Sequence, residues 1–196
     1  MRDLKREATA QALAEAAFEL TRERGLFGFV IADVVERAGY SRRTFANHFS
    51  CKEEAVAAVA CGGVDDAGAI LADLPEDLPL LDALLSVMRG QFTADTLVMM
   101  RELMAMARQY PTLEPYVLSV QQRMRHTAQE LLASAAGDRY PAIYVPLLFG
   151  AVYGAVMAAL EGTLDVHLDG ENDATPASMD YASFLDLTFD YLRHGL

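Results

Sequence analysis

Residues 42–48 gather side chains that can read a nucleic acid. On a wheel of 100° per residue, Phe45 and Phe49 fall on one side of a short helix and Arg43, Thr44, Asn47 and His48 on the other. Arg43 can meet guanine bidentately, Asn47 can do the same with adenine, and Thr44 can touch a thymine methyl or a phosphate. A helical hairpin with a merely solvated outer face has the same pattern. The elements that must carry these residues favour the first reading. Ile31, Val34, Val35 and Ala38 mark the inner face of a preceding two-turn helix, Gly39 ends it, and Ser41 is a good N-cap for the next. Two short helices joined by Ala-Gly-Tyr-Ser predict a helix-turn-helix, whose second helix lies in a DNA major groove.

Charge agrees once it is divided. The 196 residues carry a net charge of −12. Residues 1–55 hold nine basic and nine acidic side chains, and residues 56–196 hold seven and nineteen. From Arg37 to Lys52 there are four basic residues, Arg37, Arg42, Arg43 and Lys52, and no acid. A local basic stripe suits phosphates, while the acidic remainder repels DNA and favours one docking face.

The rest of the chain reads as helix, so the expected fold is all-α. Helices are expected over Leu4–Arg24, Ile31–Ala38, Ser41–Phe49, Lys52 toward Leu71, Leu80–Phe92, Thr96–Gln109, Leu113–Ala135, Ala142–Asp165 and Met179–Arg193. Asp73–Pro79 reads as a linker and Asp169–Ser178 as a polar separator. No period-two alternation is sustained, so no sheet is expected. Residues 1–50 are expected to form a three-helix DNA-binding domain and residues 51–196 a second helical domain.

Taken together, Arg6 through Gly25, the run Val34-Val35-Glu36-Arg37-Ala38-Gly39-Tyr40-Ser41-Arg42-Arg43-Thr44-Phe45, then His48-Phe49 and Lys52-Glu53, resemble the N-terminal domain of tetracycline-repressor (TetR) family regulators. The resemblance covers about residues 6–55. It implies a dimer, an operator with two half-sites, and a ligand pocket in the C-terminal domain. By family position Arg42, Thr44, His48 and Lys52 face phosphates, Arg43 and Asn47 face bases, and Tyr40 in the turn can also reach DNA. Two residues depart from the family pattern. Val30 stands where a Thr or Ser usually caps the second helix, and Ala46 stands where an aromatic residue, commonly Tyr, is usual. Both remove a possible phosphate contact.

Methionines and aromatics gather further along. Met88, Phe92, Met99, Met100, Leu103, Met104, Tyr116, Val120, Gln121, Met124, Phe149 and Tyr153 lie on or beside apolar faces. Methionine adapts to irregular volumes, so such faces suit either a permissive pocket or an ordinary Met-rich core. The resemblance points to the pocket, for a small apolar or amphipathic effector. Gly150, Gly154 and Ala158 allow close helix approach, and Tyr181, Phe184, Leu185, Thr188 and Leu192 make one stripe of the last helix. The resemblance implies that these two helices build the homodimer as a four-helix bundle.

Ala142–Leu160 is nineteen residues without a charge, long enough to be weighed as a membrane span. Pro146, Gly150, Gly154 and the lack of a flanking basic cluster favour a helix buried between subunits, so no membrane is expected. Cys51 and Cys61, ten residues apart on a helix, would sit about 15 Å apart and cannot bridge. With no secretory signal, a cytoplasmic location is expected. His48, His126, His167 and His194 are scattered, and no nucleophile elbow, zinc spacing or phosphate loop occurs. The chain is therefore expected to be no enzyme and to use no metal or cofactor. Cys51 at a helix start could serve as a redox sensor. The competing expectation is a helical ligand-binding or redox-sensing protein of the same fold whose DNA binding is weak or lost.

Overall fold

The structure is a computed structural model and describes residues 2–62, 64–75, 77–167 and 179–195. The described residues are almost wholly helical and divide into two compact units. One joins Met1–Gly62 to Leu103–Met124; the other joins Gly63–Glu102 to Arg125–Leu196.

The first unit is built on α1 (Arg2–Arg24), which packs against α2 (Ile31–Ala38) and α4 (Lys52–Ala58). The apolar spacing read from the sequence is the reason: Leu13, Ala17 and Leu20 are fully buried. α2 presses Val34 and Val35 inward and packs on α3 (Arg42–Ala46), which contributes Phe45. α3 is shorter than expected: Asn47 is its C-cap, and the amides of His48 and Phe49 both turn back to the Phe45 carbonyl. α4 is shorter too. It passes into a 3₁₀ turn, Val59–Cys61, and breaks before α5 (Val64–Asp73) instead of running on to Leu71. Gly62 stands at the break, and a Cβ there would lie 2.6 Å from Gln11 Nε2 of α1.

The second unit contains α5, α6 (Leu80–Gln91), the start of α7 (Ala94–Gln109), the end of α8 (Glu114–Ala136), α9 (Tyr144–Leu160) and α10 (Tyr181–His194). α6 packs on α5 and on α10. Arg89 pairs with Asp186 and Arg193 with Asp82, so the C-terminal end of each of α6 and α10 meets the N-terminal part of the other: the two run antiparallel. Pro79 cannot cap α6 with a side chain, and the Leu80 amide donates instead to Tyr140 Oη at 2.9 Å. α9 begins at Tyr144, which places Pro146 in the first turn, where a missing N–H costs nothing. Contrary to the expectation of no sheet, Val166–His167 (β1) and Met179–Asp180 (β2) form a two-residue parallel ladder. Strands that short carry no alternation to read. The Arg101 guanidinium holds the ladder to α9 by donating to Ala159 O at 2.9 Å and Val166 O at 3.1 Å. The linker separates α5 from α6, with residue 76 outside the described residues; the polar run Asp169–Ser178 lies wholly outside them.

Candidate nucleic-acid interface

Local capping positions the face of α3. Gly39 sits at φ 74°, a left-handed conformation that a residue with a Cβ adopts only with strain. Its amide turns back to Glu36 O, and the Tyr40 amide to Val35 O at 2.9 Å, so α2 stops and the chain turns at once. Ser41 then caps α3: its Oγ accepts the Thr44 amide at 3.0 Å and lies 2.9 Å from Thr44 Oγ1. Phe45, 1% exposed, anchors α3 from inside, with Phe49 beside it at 5.6 Å between ring centroids.

With that anchor, Arg42, Arg43 and Asn47 stand exposed, Tyr40 is exposed in the turn, and Thr44 and His48 are half-buried. The basic stripe is thinner than the sequence suggests. Arg37 meets Glu23 at 2.6 Å; that pairing raises the Arg37 pKa and lowers that of Glu23. Lys52 turns inward, donating to the carbonyls of Leu26 and Phe29. Arg42 and Arg43 are the basic residues that remain on the outer face of α3.

At the start of α2, Val30 has no side-chain acceptor for the helix amides. The reciprocal half of the cap is present: Asp33 Oδ2 accepts the Val30 amide at 2.8 Å. Val30 and Ala46, the two departures from the family pattern, line one groove of about 570 Å³ together with Ile31, Arg42, Phe45 and Phe49. Cys51, also on its wall, caps α4 through Sγ with the Glu54 amide at 3.4 Å, and a hydrogen bond to Cys51 raises the pKa of Tyr116.

The other expected sites are distributed as follows. Of the expected ligand residues, Leu103, Met104, Tyr116, Val120, Gln121 and Met124 belong to the first unit, and Met88, Phe92, Met99, Met100, Phe149 and Tyr153 to the second. Leu103, Val120, Met88 and Phe149 are buried; Phe149 stacks on Tyr153 with centroids 5.6 Å apart. Of the expected dimer residues, Gly150 and Gly154 are exposed, Ala158, Tyr181 and Thr188 half-buried, and Leu192 exposed. Phe184 and Leu185 are buried within their own protomer. Burial pushes the Tyr181 phenol pKa well up. Beside Leu192, α10 also exposes Leu187 and Tyr191, which the stripe read from the sequence omitted. Among the described residues no cluster of His, Cys, Asp or Glu is placed to hold a metal ion, and no helix is long and apolar enough to cross a membrane.

The model of the tetR family of bacterial regulatory proteins matches residues 13–59, from Leu13 of α1 to Val59, the C-cap of α4. Over these residues the N-terminal domain is of the tetR-family type. Two solved structures share the fold along nearly the whole chain. A transcriptional regulator from Rhodococcus sp. Rha1 is 24% identical, with a TM-score of 0.52 over 95% of this chain and 96% of that one. A TetR/AcrR family regulator from Thermobifida fusca YX-ER1 is 17% identical, with a TM-score of 0.51 over 95% and 97%. No curated protein matches the chain.

Proposed function

We propose that this TetR-type chain is a cytoplasmic transcriptional repressor that binds a pseudo-palindromic operator as a homodimer and is released by a small apolar or amphipathic molecule. The observation that carries the reading is the outer face of α3, where Arg43 and Asn47 stand exposed one helical turn apart on a helix anchored by buried Phe45. Arg43 and Asn47 are assigned to base edges, and Tyr40, Arg42, Thr44 and His48 to phosphates or flanking contacts. Residues 1–50 do the reading, and residues 51–196 bind effector and partner. Arg43→Ala should weaken binding to a selected operator by about 1–3 kcal/mol and relax base preference at one position. Operator selection followed by titration measures this; unchanged affinity and preference would place another residue at the bases.

For the effector, the four methionines of α7 supply the adaptable apolar surface. A ligand releases DNA only if it binds more tightly to the DNA-incompetent state, and operator must then weaken ligand binding by the same factor. Native mass spectrometry of the purified protein, followed by operator titration with any retained molecule, tests both halves. A second reading, a ligand-binding protein of this fold with weak DNA affinity, is favoured by the open groove at Val30 and Ala46.

A further inference from the structure

The corner between α1 and α2, residues 25–29, is held from two sides. Gly28 is packed so closely that a Cβ there would lie 2.1 Å from the Arg24 carbonyl oxygen. Leu26 and Phe29 are buried, whereas Phe27 is 73% exposed and sets its ring edge-on against Tyr110 at 5.6 Å. Into this corner reaches Lys52, the first residue of α4. Its Nζ donates to Leu26 O at 2.6 Å and to Phe29 O at 2.9 Å, and it lies 4.8 Å from the centre of the Phe29 ring and 5.9 Å from that of Phe27. These are charge-assisted hydrogen bonds reinforced by aromatic faces. Two of the three ammonium N–H donors are thereby committed to the corner; a phosphate could take only the third, unless the side chain left both carbonyls and the rings.

Phe29 is followed at once by Val30, the N-cap of α2, and α2 is the element on which α3 packs. Fixing the Phe29 carbonyl therefore fixes where α2 begins and how α3 is presented. We propose that Lys52 is a positioning residue for DNA reading and not a phosphate ligand: it ties the start of α4 to the α1–α2 corner and so orients the helix pair that carries Arg43 and Asn47. This rests on the DNA-binding reading above, and it moves Lys52 from the phosphate side to the inside of the head.

The two roles differ in salt dependence. A phosphate contact contributes about 0.9 to the slope of log affinity against log salt, and an internal clamp contributes nothing. In the full-length protein, Lys52→Met should lower operator affinity by roughly tenfold at every salt concentration, as loss of charged hydrogen bonds would, and leave that slope unchanged. Amide hydrogen exchange in the free protein should accelerate at residues 26–34. Lys52→Gln, neutral but still a donor one atom shorter, should lie between wild type and Lys52→Met in exchange, and it serves as the test if Lys52→Met does not fold. A slope shallower by about 0.9 for each Lys52 removed from a phosphate, with exchange unchanged, would overturn the proposal. If the wild-type protein selects no operator, the DNA-binding reading fails by itself. The exchange measurement still decides the clamp, because unchanged exchange at residues 26–34 rejects it.

Discussion

α1 and α9 are both long helices rich in alanine, and they dispose of their apolar residues differently. In α1, Leu13, Ala17 and Leu20 are buried by α2 and α4, and the opposite face is charged. α9 buries Leu148, Phe149, Val152, Val156 and Leu160, yet Leu147, one residue before that set, is 64% exposed. With Ile143, itself 65% exposed just before the helix, and exposed Gly150 and Gly154, it forms a second apolar stripe at helical spacing. α10 repeats the pattern with Phe184, Leu185 and Phe189 inside and Leu187 and Tyr191 outside. The N-terminal helices complete their core from their own chain, whereas the C-terminal helices each carry one apolar face more than the protomer covers. A face of that kind is where association would remove apolar surface from water.

The largest effect is expected in the head. If α3 is placed from inside by its own unit, Phe45→Ala should destabilise the protein by about 3–5 kcal/mol, the cost of emptying a fully buried aromatic site. Denaturant unfolding measures it. A loss under about 1 kcal/mol would mean that the Phe45 site collapses freely and that α3 is placed mainly by its caps at Gly39 and Ser41.

On α9 the same logic predicts an effect that only association reveals. A Cβ built at Gly150 or Gly154 meets nothing within 4 Å in the protomer. Gly154→Leu should therefore leave the isolated protomer unharmed and cost about 1–3 kcal/mol at each overpacked contact in a symmetric dimer. Sedimentation over a concentration series reads the shift. An unchanged dimer would put the interface elsewhere and leave the α9 stripe to another partner.

The head was largely legible in the sequence because what shapes it is local. Gly25, Gly39 and Ser41 stop or start helices through their own backbone and hydroxyl chemistry, and the spacing of Leu13, Ala17, Leu20, Val34 and Val35 names the inner faces. The features that were not legible depend on groups distant in sequence. Nothing around Lys52 announces that carbonyls 26 and 23 residues earlier await it. Gly62 reads as one more small residue until Gln11 is placed against it. The split of α7 and α8 between the units likewise follows from packing that periodicity does not encode. On α10, Phe184 and Leu185 were read correctly as apolar, but a stripe on a wheel does not say which side its own protomer covers.

The smallest expected effect separates the two units by how they cap a helix. α3 is capped by the Ser41 hydroxyl, which does not titrate in the range where proteins fold. α10 is capped by Asp180, whose carboxylate accepts the Ser183 amide at 2.9 Å and the Ser183 hydroxyl at 2.6 Å. The hydroxyl bond, followed by the amide bond, lowers the Asp180 pKa below the ordinary 3.8. A carboxylate whose folded pKa lies below its unfolded value adds stability that is present above the unfolded pKa and is lost as pH falls through the folded one. The α10 cap should therefore weaken below about pH 4, and the α3 cap should not. Asp180→Asn keeps a good N-cap and removes the charge, so it should flatten that part of the pH dependence. The Glu23–Arg37 pair in the head, where Glu23 is also lowered, titrates equally in both proteins and cancels from the difference. Because the Asp180 carboxylate is fully solvated, the difference should be small and should shrink further in salt. Urea unfolding of wild type and Asp180→Asn at low salt between about pH 5 and pH 3 is the measurement. Identical pH slopes would show that the α10 cap is no more acid-sensitive than the hydroxyl cap of α3.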